Sequence, residues 1–470
     1  MEGYFKSDSI IHLIKAATQE KIIISIWSIN MKVMVVGTFD VDNYGDCIFP
    51  DIVQNELKKR LEDVEFQFYS PTSKKARIGN YKEVRQLPGT IDECKNIDCD
   101  SVILAGGEVL TQGHNHKDLY CVLPPNTMSA GMRLWMTPAL IKLFKNVPFV
   151  INAVGIGSID DEVKTGLNAA LTLADFKLVR DQLSYDFLNN NGCKVNIGID
   201  CGFLIPRLHS IHEWEQIAKN VIPENLSQQS YLAVQIHMSY IQGVNFEVWV
   251  RAVVEIAETA NLSIVLMPIC YHHSDLVTLH KCYLKIKKFF KHVYLIDKFL
   301  KTDEIASIIF NSGGYCGSSL HGAITSIAFN RPLAVLTPKM PYKHDGVLRT
   351  VGIEGVVTTR CEELPEAFIK SLSLNLSNAA FTGVENADAA FDQIASIIKT
   401  PLIPTEINES DWIHLKKAIY FDSSYYNNKP FYLFLRFIFS IIRTNVKLNG
   451  YYDTFSSWKN NFLVKKRISC

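Results

Sequence analysis

A chain of 470 residues that is 47% hydrophobic and 20% charged is too apolar for a disordered protein and too long for one core, so two or three domains are expected. Its 48 Lys+Arg balance 48 Asp+Glu, which removes the global positive charge that nucleic-acid binding uses. Eleven cysteines, odd in number and scattered, form no Cys-x-x-Cys and no zinc-ligand spacing; they read as reduced thiols of a cytoplasmic enzyme, several of them buried.

Residues 1–30 read as an N-terminal extension. Its apolar run 20–27 is short and lacks the flanks of a signal peptide, and no apolar run in the chain reaches the ~18 residues a membrane span needs. A buried strand opens at Met31, which is also a candidate start of the core. From there short β-branched runs alternate with longer helical patterns, the signature of parallel sheets with crossover helices. Strands are predicted over 32–37, 65–69, 101–105, 148–154, 176–179 and 194–197, and helices over 46–61, 131–145 (broken or kinked at Pro138), 160–174 and 181–191. These make a first domain, 31–210. A polar, helix-prone connection over 206–230 holds the boundary. The same grammar restarts at 231, with strands over 231–237, 263–267, 293–296, 314–317 and 332–336. Helices lie between them, and two more fall near 361–373 and 385–399, giving a second domain, 228–400. The fold class expected is α/β: two Rossmann-like, doubly wound domains facing a cleft. Ligands in such sheets sit outside the carboxyl ends of the strands.

The tail, 401–470, differs. Residues 430–442 are aromatic and apolar. From 429 onward eight Lys/Arg (429, 436, 443, 447, 459, 465, 466, 467) face Asp453 alone, a local charge of +7. Aromatics with clustered cations suit an anionic membrane surface; a helix that packs back across the two domains, with a loose basic end, suits the same residues.

Chemistry concentrates at Gly317-Ser318-Ser319-Leu320-His321-Gly322-Ala323-Ile324. A glycine-bounded polar turn enters an apolar helix with a histidine at the junction. N–H groups at a helix start favour an anion, and a histidine moves protons near neutral pH. Other loops follow predicted strands: Asn43-Tyr44-Gly45-Asp46, Ala105-Gly106-Gly107, Gly155-Ile156-Gly157 and Val179-Arg180-Asp181-Gln182-Leu183-Ser184. No Gly-x-Gly-x-x-Gly is followed by a ribose-binding acid, so NAD is not expected. His114/His116 and His272/His273 lack a third ligand at a fixed offset, and no metal is expected.

Taken in order, these pieces resemble the polysaccharide pyruvyl transferase family over about residues 31–399. The resemblance implies a GT-B-like arrangement and transfer of pyruvate from phosphoenolpyruvate, the donor substrate, to two hydroxyls of a sugar in a surface-polysaccharide precursor. A cyclic ketal forms and phosphate leaves, with no cofactor. It places His321 and Asp46 as catalytic groups. Arg180, Ser319, Leu320, His321 and Lys343 would bind phosphoenolpyruvate, on the side of the second domain. Asn43, Gly45, Gly106, Gly107, Gly155 and Gly157 would line the acceptor side in the first. For Asp46, capping of its helix is the competing reading; for Arg180 it is a salt bridge to Asp181 or another acid. Asp200 is assigned to fixing the hinge. Two positions depart from the family pattern. Ser319 stands where an arginine is frequent, which shifts the cation to Lys343 or, more weakly, Arg349. Glu108 stands at the third place of a glycine cluster. The partner expected is a sugar or lipid-linked oligosaccharide, the location cytoplasmic with peripheral attachment to the inner membrane face. A GT-B glycosyltransferase using a nucleotide sugar, and a non-catalytic glycan-binding or membrane-docked member, are the alternatives, because fold alone does not decide function.

Overall fold

A computed structural model describes residues 30–112, 126–222, 226, 230–243, 245–272, 275–400 and 407–428. The extension 1–29, His114, His116, His273 and the run 429–470 lie outside the described residues.

The first half is a seven-stranded sheet: β1 (Met31–Val36), β2 (Val64–Ser70), β3 (Arg85–Gln86), β4 (Ser101–Ala105), β5 (Phe149–Val154), β6 (Phe176–Val179) and β7 (Asn196–Ile197), in the order β3-β2-β1-β4-β5-β6-β7. The second is six-stranded: β8 (Tyr231–Val234), β9 (Ser263–Leu266), β10 (Val293–Leu295), β11 (Gly314–Gly317), β12 (Leu333–Leu336) and β13 (Val357–Thr358), in the order β10-β9-β8-β11-β12-β13. All pairings are parallel. Helices cover both faces, which is why the central strands β4, β5, β8, β9 and β12 are buried along their whole length and read as unbroken apolar runs.

Both sheets wind outward from their first strand, so the order reverses between β1 and β4 and again between β8 and β11. At such a reversal the loops diverge to opposite faces and leave a crevice. The two crevices meet. Tyr44 N–H after β1 donates to Ile269 C=O after β9 at 3.1 Å, and Asn43 bridges Cys270 in antiparallel fashion.

Several elements differ from the sequence expectation. The helix expected over 46–61 is two, Tyr44–Cys47 and Phe49–Lys58, with Pro50 in the first turn of the second; proline has no N–H to give and is tolerated where none is needed. Pro138 instead sits inside one continuous helix, Ala130–Lys145, whose near-complete burial outweighs the local cost. The helix expected over 385–399 is Leu376–Lys399, started by Asn375, which accepts from Asn378 N–H at 3.0 Å. It lies against the 3-10 segment Cys201–Leu208 through Gly383, where an added methyl would come within 2.5 Å of the Phe203 ring.

The helix Glu409–Asn428 packs on the first-domain helix Asp161–Thr172, with Gly166 against Ala418. Its buried Asp422 accepts from Ser129 N–H at 2.6 Å and Gln112 Nε2 at 3.0 Å. All nine described cysteines are buried thiols.

A charged cluster ties the long helix to the first half. Glu56, fully buried, accepts from Lys59 at 2.7 Å and Arg60 at 2.9 Å. Arg60 also reaches Asp392 at 2.7 Å, and Arg60 and Arg207 share Asp388. Removing Arg60 would leave the buried Glu56 carboxylate short of a partner that offsets its desolvation. Arg60→Ala is therefore expected to lower the unfolding free energy by roughly 2–3 kcal/mol, measured by chemical denaturation; a loss within the ~0.5 kcal/mol of an ordinary surface change would refute this role.

Candidate active site

The loops after β1, β4, β5, β6, β7, β8, β11 and β12 supply the site. After β1, Asn43 caps its short helix by accepting from Gly45 N–H at 3.2 Å. Asp46 is thus not the cap. Its half-buried carboxylate has no hydrogen-bond donor among the described residues, and Oδ1 lies 3.3 Å from where a Cβ on Gly107 would stand. Gly45 is required by what lies beside it: a Cβ there would fall 1.9 Å from His321 Nδ1.

After β4 the chain turns through the left-handed region at Gly106 (φ +52°) and Gly107 (φ +80°), where a side chain is strained. Gly107 C=O accepts from Gly155 N–H at 2.7 Å, and Gly157 N–H donates to Leu110 C=O at 2.9 Å, joining the two glycine loops. Gly155 leaves room for Arg180, whose Nε would be 3.1 Å from a Cβ at that position.

Arg180 follows β6 and is 2% exposed. It does not pair with its neighbour Asp181, which caps the helix Gln182–Asn190 by accepting from Ser184 N–H at 2.8 Å. Its Nη1 donates instead to Asp200 Oδ2 at 2.9 Å, while its buried Nε has no hydrogen-bond partner. Asp200 Oδ1 accepts from Gly202 N–H at 2.9 Å, and Oδ2 lies 3.5 Å from His321 Nε2. Burial alone would raise the Asp200 pKa. His321, the Arg180 charge and the Gly202 N–H outweigh it and hold the carboxyl well below the usual carboxylate range.

His321 enters from the second half, in the first turn of the helix Leu320–Ala328. Ser319 caps that helix, accepting from Gly322 N–H at 3.2 Å, and the Leu320 side chain is buried. The imidazole is 9% exposed and meets the Phe49 ring edge-on at 5.3 Å. Nε2 is also 3.5 Å from Arg180 Nη1. Nδ1 faces Gly45.

Lys343 opens the helix Lys343–Arg349 and crosses the cleft to Glu108, Nζ to Oε2 at 2.7 Å. Glu108, one of the two departures, is thus paired with the residue expected to supply the cation in place of Ser319. Arg349 sits at the far end of that helix, paired on the surface with Asp345 at 2.8 Å.

Two groups were not singled out from the sequence. His344, 2% exposed, donates from Nε2 to Ser318 C=O at 3.1 Å and stacks on Tyr342 at 5.3 Å. Its Nδ1 is buried without a hydrogen-bond partner. Burial first, then the Lys343 charge, push its pKa down to about 3. Gln235, at the end of β8, accepts from Ser318 N–H at 3.2 Å and donates to Asp275 at 2.9 Å. Asp275 in turn accepts from Cys270 N–H at 2.9 Å, and burial raises its pKa to about 6. A polar histidine beside a lysine was the sole sequence signal for His344; Gln235 gave none.

His344 makes stability depend on pH. Below about pH 6.5 an unfolded histidine takes a proton that folded His344 refuses until about pH 3. Its contribution is full above pH ~6.5 and is lost toward acid at up to ~1.4 kcal/mol per pH unit. The unfolding free energy of the wild type relative to His344→Gln, which keeps a donor for Ser318, should fall by about 2 kcal/mol between pH 6.5 and 5. A pH-independent difference in denaturation experiments would contradict a buried neutral His344.

The arrangement has known counterparts. No curated protein matches the chain by sequence. Among solved structures, a UDP co-structure of MnaA from S. aureus aligns with TM-score 0.50 and 13% identity over 78% of this chain and 96% of that one. A UDP-GlcNAc 2-epimerase from Methanocaldococcus jannaschii aligns with TM-score 0.50 and 11% identity over 78% and 100%. At such identities the likeness is one of fold, the GT-B arrangement of two Rossmann-like domains. The sequence model of the polysaccharide pyruvyl transferase family matches residues 43–339, which run from the Asn43 turn through the His321 helix to the start of the Lys343 loop, and the chain belongs to that family.

Proposed function

We propose that this protein transfers pyruvate from phosphoenolpyruvate to two hydroxyls of a sugar in a surface-polysaccharide precursor. The reading rests on one observation above all: Arg180 and Asp200 of the first half and His321 of the second come together at the carboxyl ends of the strands, with Nη1 and Nε2 3.5 Å apart.

In the reaction a proton adds to the donor's methylene carbon, which becomes a methyl group, and C2 gains oxocarbenium character. A sugar hydroxyl adds to C2 and gives up its proton. The C2–O bond to phosphate breaks, and the second hydroxyl closes the ketal, losing its proton to the medium or the departing phosphate. His321 is the proton carrier, its ring held in place beside Asp200, as a positioned histidine requires. Asp46, with its carboxylate free of donors, is the base for the acceptor hydroxyl. Arg180 retains an unpaired Nε–H beyond its bond to Asp200, a donor suited to the pyruvate carboxylate. The first-turn N–H groups at Leu320 and His321 and Lys343 take the phosphate, with Glu108 released from the lysine as donor binds. The acceptor is lipid-linked and the protein peripheral on the inner membrane face. The +7 charge of 429–470 supports this, and no helix among the described residues is long and apolar enough to cross a membrane.

Phosphate release from phosphoenolpyruvate over a panel of sugar acceptors tests the reading. Release should depend on acceptor, and the product should gain a carboxyethylidene group by mass. His321→Ala should lower kcat about 10²–10⁴-fold. Gly45→Ala, which displaces the ring, should act in the same direction. Lys343→Ala should raise KM for phosphoenolpyruvate by roughly tenfold or more, as loss of a charge-assisted contact does. Binding of a nucleotide sugar with release of a nucleoside diphosphate would replace this reading with glycosyl transfer; undiminished biological effect of His321→Ala would point to a non-catalytic member.

A further inference from the structure

The helix Asp275–Ile286 and the turn after it carry a face that the chemistry above does not use. From 276 to 292 there are five lysines (281, 285, 287, 288, 291) and no acid. Val277, Lys281 and Leu284 fall at i, i+4 and i+7, one helical face, and Lys288 in the turn lines the same groove. Val277 is 59%, Leu284 54% and Phe289 66% exposed. Lys285 is paired with Glu247 at 2.6 Å; Lys281, Lys287, Lys288 and Lys291 have no acidic partner within salt-bridge distance among the described residues. Between this face and the turn after β8 lies a groove of about 560 Å³, floored by Met238, Ile241, Phe246 and Leu284 and rimmed by Lys281 and Lys288. That turn borders the active cleft, since His237 N–H at its start donates to Ser318 Oγ at 3.0 Å.

We infer that this face docks the protein on an anionic lipid bilayer, with the groove turned to the membrane. Charge and apolarity decide the occupant together. A polyanion would match the lysines but leave Val277, Leu284 and Phe289 in water, whereas a bilayer takes both. A second copy docking through the same face would set lysine against lysine. The run 429–470 carries +7 and is repelled in the same way. The docking brings a lipid-linked acceptor to the cleft rim. It deepens the reading in which the acceptor is lipid-linked, but its test reads vesicle binding alone and stands whether or not phosphoenolpyruvate is the donor.

The test is flotation of the full-length protein with vesicles of phosphatidylcholine alone and of phosphatidylcholine with phosphatidylglycerol, with solution mass measured by light scattering. Wild type should float with the anionic vesicles only. Lys281→Glu with Lys288→Glu, and separately Leu284→Ser with Phe289→Ser, should each lower the partition coefficient by about tenfold or more, given roughly fivefold per surface lysine. All four side chains are exposed, so the unfolding midpoints should match wild type. The inference is overturned by failure of wild type to float or by equal binding to neutral vesicles. It is equally overturned by binding that survives both double variants but is lost in Lys465→Ala, Lys466→Ala, Arg467→Ala, or by a wild-type dimer that Leu284→Ser with Phe289→Ser converts to monomer.

Discussion

Everything in the cleft is arranged around one buried ion pair, Arg180 with Asp200, and the histidine that touches it from the other half. A buried pair of charges repays its desolvation only when geometry and added hydrogen bonds are good. Here both conditions hold: the Asp200 carboxylate takes Arg180 at 2.9 Å on one oxygen and Gly202 N–H at 2.9 Å on the other. Such a pair is a poor source of stability compared with apolar packing, but it fixes direction. Asp200 stands at the head of the segment Cys201–Leu208 that leads toward the second domain, while Arg180 ends a strand of the first. The pair therefore sets where His321 can sit, and His321 Nε2 takes its orientation from it.

The fold supplies the rest by coincidence of two reversals of strand order. Each doubly wound sheet would open a crevice by itself; joined through Tyr44 to Ile269, the two crevices become one. A relay of polar groups keeps the loops in place. Asp275 holds the 269–270 backbone, Gln235 holds Asp275 and Ser318, and Ser318 accepts from His344. The first-half turn at Asn43 and the second-half turn at Ser318 are thus linked through buried hydrogen bonds, and Gly45 closes against the imidazole because it has no side chain.

Local signals carried the fold well. Apolar runs ending in glycine or a polar residue marked the strands, and the loops holding Asn43, Gly106, Gly155, Arg180 and His321 all follow strand ends, the side on which this architecture opens its crevice. What stayed hidden depends on distance along the chain. Arg180 had an acid next to it, yet Asp181 is consumed by capping and the partner is Asp200, a residue whose sequence context suggested only a hinge. Glu108 looked like a departure from a family pattern and Lys343 like a substitute cation, and nothing in the sequence says that residues so far apart meet. His344 owes its state to burial and to Ser318 C=O, neither of which is a property of its neighbours. The helix at 376 begins earlier than its apolar periodicity suggested because Asn375 caps it and Gly383 lets it close on Phe203.

The two ion pairs in the cleft differ in one respect that assigns them different work. Arg180 and Asp200 are 2% and 0% exposed, while Lys343 and Glu108 are 31% and 29% exposed. Separating the buried pair would leave charges stripped of water, so it stays closed. The wetter pair is held weakly, as partly exposed ion pairs are, and an incoming phosphate can take the lysine without stranding the carboxylate. The position two residues before the histidine is Ser319, which carries no charge. In the proposed reaction, positive charge for an anionic donor then comes from a residue that can exchange partners. Lys343 meets that condition, and Arg180, locked against Asp200, would in that reaction hold the centre still.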